Sequence, residues 1–188
     1  MIRRFVAIGV PPAVRAPLEE ALAPVQDRLA ELRTTDPASW HLTLAFLGEV
    51  HDDQLDAIVE VVRAAVADVA PPAALTLDGA GEFRRAALWA GVRDEPEGQL
   101  ARLGDAIQAG CAAAGLAIEQ RRVHPHVTIA RARRRSSVRP GQVAVVSDAV
   151  DAVRLAGDAR WAPTQVEVWA SHLGDGPARY RTEATVPA

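Results

Sequence analysis

The stretch HLTLA at residues 41–45 has a near copy, HVTIA, at residues 126–130. Polar and apolar residues alternate in both stretches, which predicts a β-strand with one buried face. Residues two apart in a strand point to the same side, so each histidine shares a face with the threonine that follows it. The two stretches therefore predict two matched strands that present two imidazoles and two hydroxyls to a shared groove.

The alternation around the first stretch extends over residues 39–48. It assigns His41, Thr43 and Ala45 to one face of the strand. The apolar side chains fall on the other face, which is predicted to be buried: Trp40, Leu42, Leu44 and Phe46. The pattern is typical of a half-buried strand whose polar groups are aimed together.

The first part of the chain predicts the order strand, helix, strand, helix. Residues 2–10 are rich in apolar and β-branched types and stop at Pro11-Pro12, which favours a strand. Apolar residues at helical spacing predict a helix from 13 to about 33. A second helix is predicted from His51-Asp52-Asp53 to the prolines at 71 and 72.

The rest of the chain repeats this order with additions. Strands are predicted at 73–78, 86–93, 122–131, 164–172 and 179–186, and helices at 97–114 and 143–155. Gly79-Ala80-Gly81 falls in the first connection, and Gly174-Asp175-Gly176-Pro177 signals a turn between the last two strands. Pro125 indicates an edge position or the beginning of a strand, and the valines of 143–155 also suit a strand. No linker rich in Pro, Gly and Ser divides the chain, so we expect residues 1–188 to form one α+β domain with two similar lobes.

Composition describes an ordinary globular protein. The chain has 188 residues, of which 24% are charged, and a mean hydropathy of +0.01. No apolar run approaches the roughly 20 residues that span a bilayer. We therefore expect a cytoplasmic protein with no membrane contact.

Two residue types exclude whole classes of function. All basic residues are arginines, so Schiff-base chemistry, a lysyl-nucleotide intermediate and the phosphate loop that ends in Lys are excluded. Cys111 is the single cysteine, so neither a disulfide nor a thiolate zinc site can form within the chain. We expect Cys111 to be a buried, inert thiol.

The arginines are unevenly distributed. The net charge of -3 gives no overall attraction to nucleic acid. However, many arginines surround the second histidine stretch: Arg121, Arg122, Arg131, Arg133, Arg134, Arg135 and Arg139. They fit either a solvated loop or a surface that faces phosphate.

Two histidines and two threonines suit phosphodiester hydrolysis. The reaction needs a base to activate water and an acid to protonate the departing oxygen, and the ordinary histidine pKa of about 6.5 serves both tasks. Threonine hydroxyls can donate to the non-bridging oxygens, where charge is held in the transition state. The site residues predicted by this chemistry are His41, Thr43, His126 and Thr128, with no metal or cofactor.

Two alternatives stay open at this level. A metal-dependent phosphohydrolase could be built from His41, His124, His126 and the run His51-Asp52-Asp53. A catalytically silent module that binds RNA or nucleotides would keep the same fold.

Several segments together resemble the two-histidine phosphoesterase superfamily, and most closely its bacterial and archaeal RNA 2′,3′-cyclic phosphodiesterases, the 2′-5′ RNA ligase family. The resemblance runs over nearly the whole chain. The segments that carry it are RRFVAIGVP (3–11), HLTLAFLGEV (41–50), LWAGV (88–92), PHVTIAR (125–131) and VWASHLGDGPARY (168–180). Val123 and His124 depart from the family, which often has an aromatic residue before the second motif.

The resemblance implies a bilobal α+β fold, with two pseudo-symmetric antiparallel-sheet lobes, helices outside and a central cleft. It also implies hydrolysis of 2′,3′-cyclic phosphates on RNA ends or small cyclic nucleotides to 2′-phosphomonoesters, and leaves reversible 2′-5′ ligation open. His41, Thr43, His126 and Thr128 carry over as catalytic residues, and Arg131, Ser171 and Tyr180 as substrate-binding residues. We assign His126 as the base and His41 as the acid, and expect a monomer.

Overall fold

The structure is a computed structural model that describes residues 1–118, 120–172 and 179–188. The strands are β1 (Ile2–Gly9), β2 (Leu32–Thr34), β3 (His41–Val50), β4 (Ala74–Phe83), β5 (Ala87–Glu95), β6 (His126–Ala132), β7 (Arg160–Trp161), β8 (Gln165–His172) and β9 (Arg179–Pro187). The α-helices are α1 (Pro12–Leu22), α2 (Gln26–Leu29), α3 (Leu55–Asp68), α4 (Gln99–Ala113) and α5 (Pro140–Ala156). Short 3₁₀ turns lie at Ala23–Val25, Pro37–Ser39 and Asp52–Gln54.

The strands form two antiparallel sheets. One has the order β3-β1-β8-β9 and the other β2-β6-β5-β4-β7. β2 comes from the first part of the chain but joins the sheet of the second part, while β8 and β9 return to complete the first sheet. Each sheet is therefore built from both halves of the chain, and the predicted α+β class with two antiparallel sheets is confirmed.

Helices cover the sheets, and one apolar core joins them. α4 packs on β3, α5 packs on β4 and β5, and α3 packs against α4. Buried side chains from both sheets and from the helices belong to a single cluster, which includes Leu42, Ile107 and Val127. Full burial of each such side chain contributes about 1.5–3 kcal/mol to folding.

The first predicted helix is too long. The chain leaves helical conformation after Leu29, and Leu32–Thr34 is instead strand β2, which pairs with β6. Pro24, in the 3₁₀ turn, interrupts the regular ladder of hydrogen bonds before that point. Leu32 keeps the burial that its helical spacing suggested, because its strand points the side chain into the same core.

The prediction that Gly79-Ala80-Gly81 lies in the connection between two strands is wrong. These residues lie inside β4, where the register with β5 shifts between Leu77 and Ala80. A Cβ on Gly81 would lie 2.3 Å from the Trp89 ring, so the glycine makes room for an aromatic side chain on the sheet. The turn instead follows Phe83, and its central residues are Arg84 and Arg85.

Most other elements agree with the predictions. Gly115 follows α4 with a φ of +79°, β6 begins directly after Pro125, and residues 140–156 are helical despite their valines. Cys111 is buried, and burial raises the pKa of its thiol to about 11. The predicted turn at residues 174–177 lies outside the described residues. Within the described part of the chain, no helix combines the length and the apolar character needed to cross a membrane.

Candidate active site

A cleft of about 660 Å³ is lined by residues of both sheets. It contains all seven site residues predicted from the sequence: His41, Thr43, His126, Thr128, Arg131, Ser171 and Tyr180. The first pair comes from β3 and the second pair from β6, while Ser171 and Tyr180 are partners across β8 and β9. The fold therefore gathers groups that are far apart in the chain.

An unpaired residue in β3 decides which side chains face the cleft. Thr43 lies opposite Ala7 and Ala45 lies opposite Val6, so Leu44 has no partner on β1. This β-bulge reverses the alternation, and Phe46 emerges on the cleft side with 53% of its surface exposed. The prediction that Phe46 belongs to the buried face is wrong for this reason.

β6 contains the same irregularity. Thr128 lies opposite Trp89 and Ala130 lies opposite Leu88, so Ile129 has no partner on β5. Arg131 consequently faces the cleft, at the position that corresponds to Phe46 in β3. The sequence of buried and exposed residues is also the same over 41–46 and 126–131.

Both imidazoles are anchored in the same way. Nδ1 of His41 lies 2.7 Å from the carbonyl oxygen of Ser39, and Nδ1 of His126 lies 2.6 Å from that of His124. A carbonyl can only accept a hydrogen bond, so Nδ1 carries the proton in each ring. Nε2 is then the nitrogen that can take a proton from a ligand when the ring is neutral and give one when the ring is charged.

Burial lowers the pKa of both histidines. The pKa of His41 is lowered to about 4, chiefly by burial; the hydrogen bond to Ser39 opposes this, and the positive charges of His126 and Arg131 add to it. The pKa of His126 is also lowered by burial, against its hydrogen bond to His124 and with a contribution from His124 and Arg131. Both rings are therefore biased towards the neutral form.

Aromatic rings surround His41. The ring centroids of Phe5, Trp169 and Tyr180 lie 4.8, 5.1 and 5.4 Å from that of His41. Nε1 of Trp169 donates to Glu167, which fixes the indole. The sequence analysis identified neither Phe5 nor Trp169. The available signal was that each is followed two positions later, on the same strand face, by a small residue, Ala7 or Ser171.

His126 has a different, more open surrounding. Phe83 and His124 lie 4.9 and 5.9 Å from its ring, and Trp89 lies 6.1 Å away. Phe83 is 37% exposed, and with Phe46 it lines a recess of about 220 Å³ beside His126. Phe83 from β4 thus supplies an aromatic ring near His126, although Val123 and His124 replace the aromatic residue that the family often has before the second motif.

Positive charge dominates the polar lining of the cleft. Arg33 and Arg131 are cross-strand partners on β2 and β6, and both line it. Arg4 is buried and neutralised by Glu183 and Asp52, at 2.5 and 2.8 Å. The guanidiniums of Arg33 and Arg131 make the cleft attractive to an anion.

Of the residues in the metal-site alternative, His41 and His126 share the cleft and His124 lies beside His126, but Asp52 is engaged elsewhere. Asp52 lies at the start of the segment leading into α3 and pairs with Arg4. Among the described residues, no three His, Cys, Asp or Glu side chains form a group that could hold a metal ion. His124 contacts Phe83 and Trp89 as well as His126.

Comparison with known proteins settles the family. Residues 10–175 match the sequence model of the 2′-5′ RNA ligase superfamily. The chain belongs to this superfamily. Membership confirms the resemblance seen in the two histidine motifs.

Relatives within the superfamily share both sequence and fold. The RNA 2′,3′-cyclic phosphodiesterase of Escherichia coli is 31% identical over 144 residues, which cover 74% of this chain and 70% of that protein. The protein of the same name from Archaeoglobus fulgidus is 26% identical over 139 residues, or 72% and 75% of the two chains. The crystal structure of E. coli LigT in apo form superposes with a TM-score of 0.73 at 26% identity, covering 99% of this chain and 96% of that one. The bilobal superfamily fold is therefore confirmed.

Proposed function

We propose that the chain hydrolyses 2′,3′-cyclic phosphate ends of RNA to 2′-phosphomonoesters, with its two histidines as acid and base. The observation that carries the proposal is the matched anchoring of His41 and His126, each through Nδ1 to the carbonyl two residues earlier, at one cleft. The similarity to proteins named RNA 2′,3′-cyclic phosphodiesterase supports this substrate class.

The reaction needs one neutral and one charged imidazole. Nε2 of the neutral ring takes a proton from water, and the water oxygen bonds to phosphorus. The bond between phosphorus and O3′ breaks, and Nε2–H of the charged ring protonates O3′, which leaves a 2′-phosphate and a 3′-hydroxyl. We assign the first task to His126 and the second to His41.

Substrate binding prepares the acid. The pKa of His41 is about 4, so the ring is neutral near pH 7. A phosphate anion beside the ring favours the charged form and raises this pKa. His41 thus gains its proton together with the substrate.

Neighbouring side chains hold the phosphate and the nucleoside. Thr43 and Thr128 line the cleft beside their histidines and donate to the non-bridging oxygens. Arg131 supplies a positive charge, with Ser171 and Tyr180 on the opposite sheet. The exposed rings of Phe46 and Phe83 offer stacking surfaces for the terminal base.

The direct test is product analysis. The protein is incubated with RNA that ends in a 2′,3′-cyclic phosphate, before and after exhaustive chelation. We expect a 2′-phosphate end in both samples. A 3′-phosphate would refute the bond assignment, loss of activity on chelation that returns with metal would favour the metal-dependent alternative, and no turnover would favour the silent binding module.

The remaining expectations concern the context of the reaction. We propose that the chain acts as a cytoplasmic monomer on RNA ends or small cyclic nucleotides, and that 2′-5′ ligation is the reverse of the same chemistry. The reverse reaction exchanges the acid and base tasks of the two histidines.

A further inference from the structure

Five arginines form a surface beyond the cleft, which we term the arginine ridge. Two of them, Arg84 and Arg85, occupy the tip of the β4–β5 hairpin. The other three, Arg133, Arg134 and Arg135, lie in the segment that follows β6. All five are exposed.

Hydrogen bonds join the two parts of the ridge. The backbone N–H of Val138 donates to the carbonyl oxygen of Arg85 at 2.8 Å, and the Arg85 guanidinium donates to Oγ of Ser137 at 3.3 Å. The N–H of Ala132 donates to the carbonyl oxygen of Ala86 at 2.8 Å. The hairpin tip and the segment after β6 are therefore one surface.

The ridge begins where the cleft ends. Arg131 lines the cleft and lies opposite Ala87, next to the hairpin tip. Phe83, whose ring contacts His126, directly precedes Arg84. A ligand chain that leaves the cleft past His126 on this side meets the ridge.

Among the described residues the ridge guanidiniums form no ion pair, although the Glu82 carboxylate accepts a hydrogen bond from the backbone N–H of Arg85. Across residues 1–118, 120–172 and 179–188, no carboxylate lies within salt-bridge distance of any of these five guanidiniums. By contrast, Arg139, just beyond the ridge, pairs with Glu31 at 2.8 Å. Because the chain as a whole carries a net charge of -3, the ridge is a local attraction for an anionic ligand.

The backbone gives a second, independent observation. In the described part of the chain, the non-glycine residues with positive φ are Arg84 at +49°, Arg85 at +56° and Arg135 at +73°, all on the ridge. The N–H of Ala86 donates to the carbonyl oxygen of Phe83, which closes a turn with two positive φ angles, where Asn-Gly is favoured. A side chain with a Cβ is strained in this conformation, and such strain points to a function for the side chain.

We infer that the arginine ridge binds the phosphates of the RNA strand on the 5′ side of the cyclic phosphate end. The inference rests on the proposed function and specifies its substrate as a polynucleotide. A 2′,3′-cyclic phosphate is always the 3′ end of its strand, so the rest of the RNA leaves the cleft in the 5′ direction. A mononucleoside cyclic phosphate has one phosphate, at the histidines, and nothing for the ridge to hold.

The test compares two substrates and two double variants. The substrates are a single-stranded RNA of about ten nucleotides with a 2′,3′-cyclic phosphate end and a nucleoside 2′,3′-cyclic phosphate. The ridge variant is Arg84→Asn with Arg85→Gly, which removes two charges and installs the residues that this turn favours. The control variant, Arg63→Gln with Arg154→Gln, removes two charges from α3 and α5.

We expect the ridge variant to lower kcat/KM for the RNA about tenfold at low salt, with the mononucleoside reaction unchanged. The slope of log kcat/KM against log salt concentration should become shallower by about 1.4, the value for two lost phosphate contacts on a single strand. The control variant should match the wild type on both substrates. Equal losses on both substrates, or none on the RNA, would overturn the inference.

A binding measurement separates this inference from the proposed function. The fluorescence anisotropy of a labelled RNA of the same sequence reports Kd without turnover. We expect Kd to rise about tenfold in the ridge variant and to stay unchanged in the control variant. An unchanged Kd in the ridge variant would contradict the inference that the ridge binds RNA. If the wild type binds this RNA through the ridge but hydrolyses neither substrate, the proposed function is wrong, while the inference that the ridge binds RNA is supported.

Discussion

The two strands that carry the histidines, β3 and β6, have the same bulged backbone conformation but differ in one of the side chains that face the cleft. β3 and β6 each place a histidine, a threonine two residues later and, after a bulge, a third side chain on the cleft face. That third side chain is Phe46 in one strand and Arg131 in the other. A repeated backbone thus supplies two equivalent imidazoles, while one strand offers an aromatic surface and the other a charge.

The surroundings of the two histidines also differ. His41 is enclosed by Phe5, Trp169 and Tyr180, whereas His126 adjoins the exposed His124 and the partly exposed Phe83. The two motifs are nearly identical, so the motif itself does not determine which histidine is the acid and which is the base. Burial and charge around each ring can assign the two tasks.

The largest expected effect comes from removing either histidine. His41→Ala and His126→Ala should each lower the cyclic phosphodiesterase rate at least about a hundredfold, the usual order for a general acid or base. Circular dichroism and melting temperature serve as controls for folding. An unchanged rate in either folded variant would exclude that ring from the chemistry.

A substrate in which sulfur replaces O3′ of the cyclic phosphate shows which of the two histidines is the acid. A thiol has a pKa near 8.5, so a sulfur in place of O3′ leaves without a proton. The variant that lacks the acid should regain most of its rate on this substrate, and the variant that lacks the base should not. We expect recovery in His41→Ala; recovery in His126→Ala instead would reverse the two assignments.

A smaller effect is expected at the third position of each strand. Arg131→Gln should lower kcat/KM about 10- to 100-fold, because hydrogen bonds to charged groups contribute about 1.5–3 kcal/mol. Phe46→Leu should lower it only several-fold, since stacking on a base contributes about 1–3 kcal/mol and leucine retains part of the contact. An abasic ribose 2′,3′-cyclic phosphate distinguishes the contact with phosphate from the contact with the base. On this substrate the loss of kcat/KM in Arg131→Gln should persist, and the loss in Phe46→Leu should vanish.

The smallest effect concerns stability and pH. The pKa of His41 is lowered to about 4 in the folded protein, while that of the unfolded chain is about 6.5. Between these values the unfolded chain binds more protons than the folded protein. The contribution of His41 to the free energy of unfolding is therefore fully present above about pH 6.5 and is lost as the pH falls towards 4. His41→Gln should flatten this decline by roughly 6–12 °C in melting temperature, because about 3 kcal/mol is lost between pH 6.5 and 4.

The matched variant His126→Gln tests whether the two surroundings differ. Its ring is less enclosed, so we expect it to flatten the pH dependence of melting temperature less than His41→Gln does. Equal flattening would show that the two rings are equally desolvated. No flattening in either variant would contradict the role of burial in lowering both pKa values.

Sequence alone predicted the architecture well where local patterns were decisive. The two motifs, the helices α3, α4 and α5, and the convergence of seven site residues on one cleft all followed from spacing or from the family resemblance. Their catalytic and binding roles stay predictions.

The errors have a common physical origin in tertiary pairing. Period-two alternation cannot reveal that Leu44 has no partner on β1, so it placed Phe46 on the wrong face. Helical spacing could not reveal that Leu32 is held by pairing with β6. Phe83 and Trp169 reach the histidines from neighbouring strands, which no local pattern in the motifs encodes.

The exchange of strands between the sheets has a consequence for how the protein can be divided. A fragment that ends before β4 keeps His41 but lacks β8 and β9, and the complementary fragment keeps His126 but lacks β2. Each fragment would expose the strand edge that its missing partner covers, and such edges promote association. The two imidazoles therefore belong to an indivisible unit, although the chain carries them on two copies of one motif.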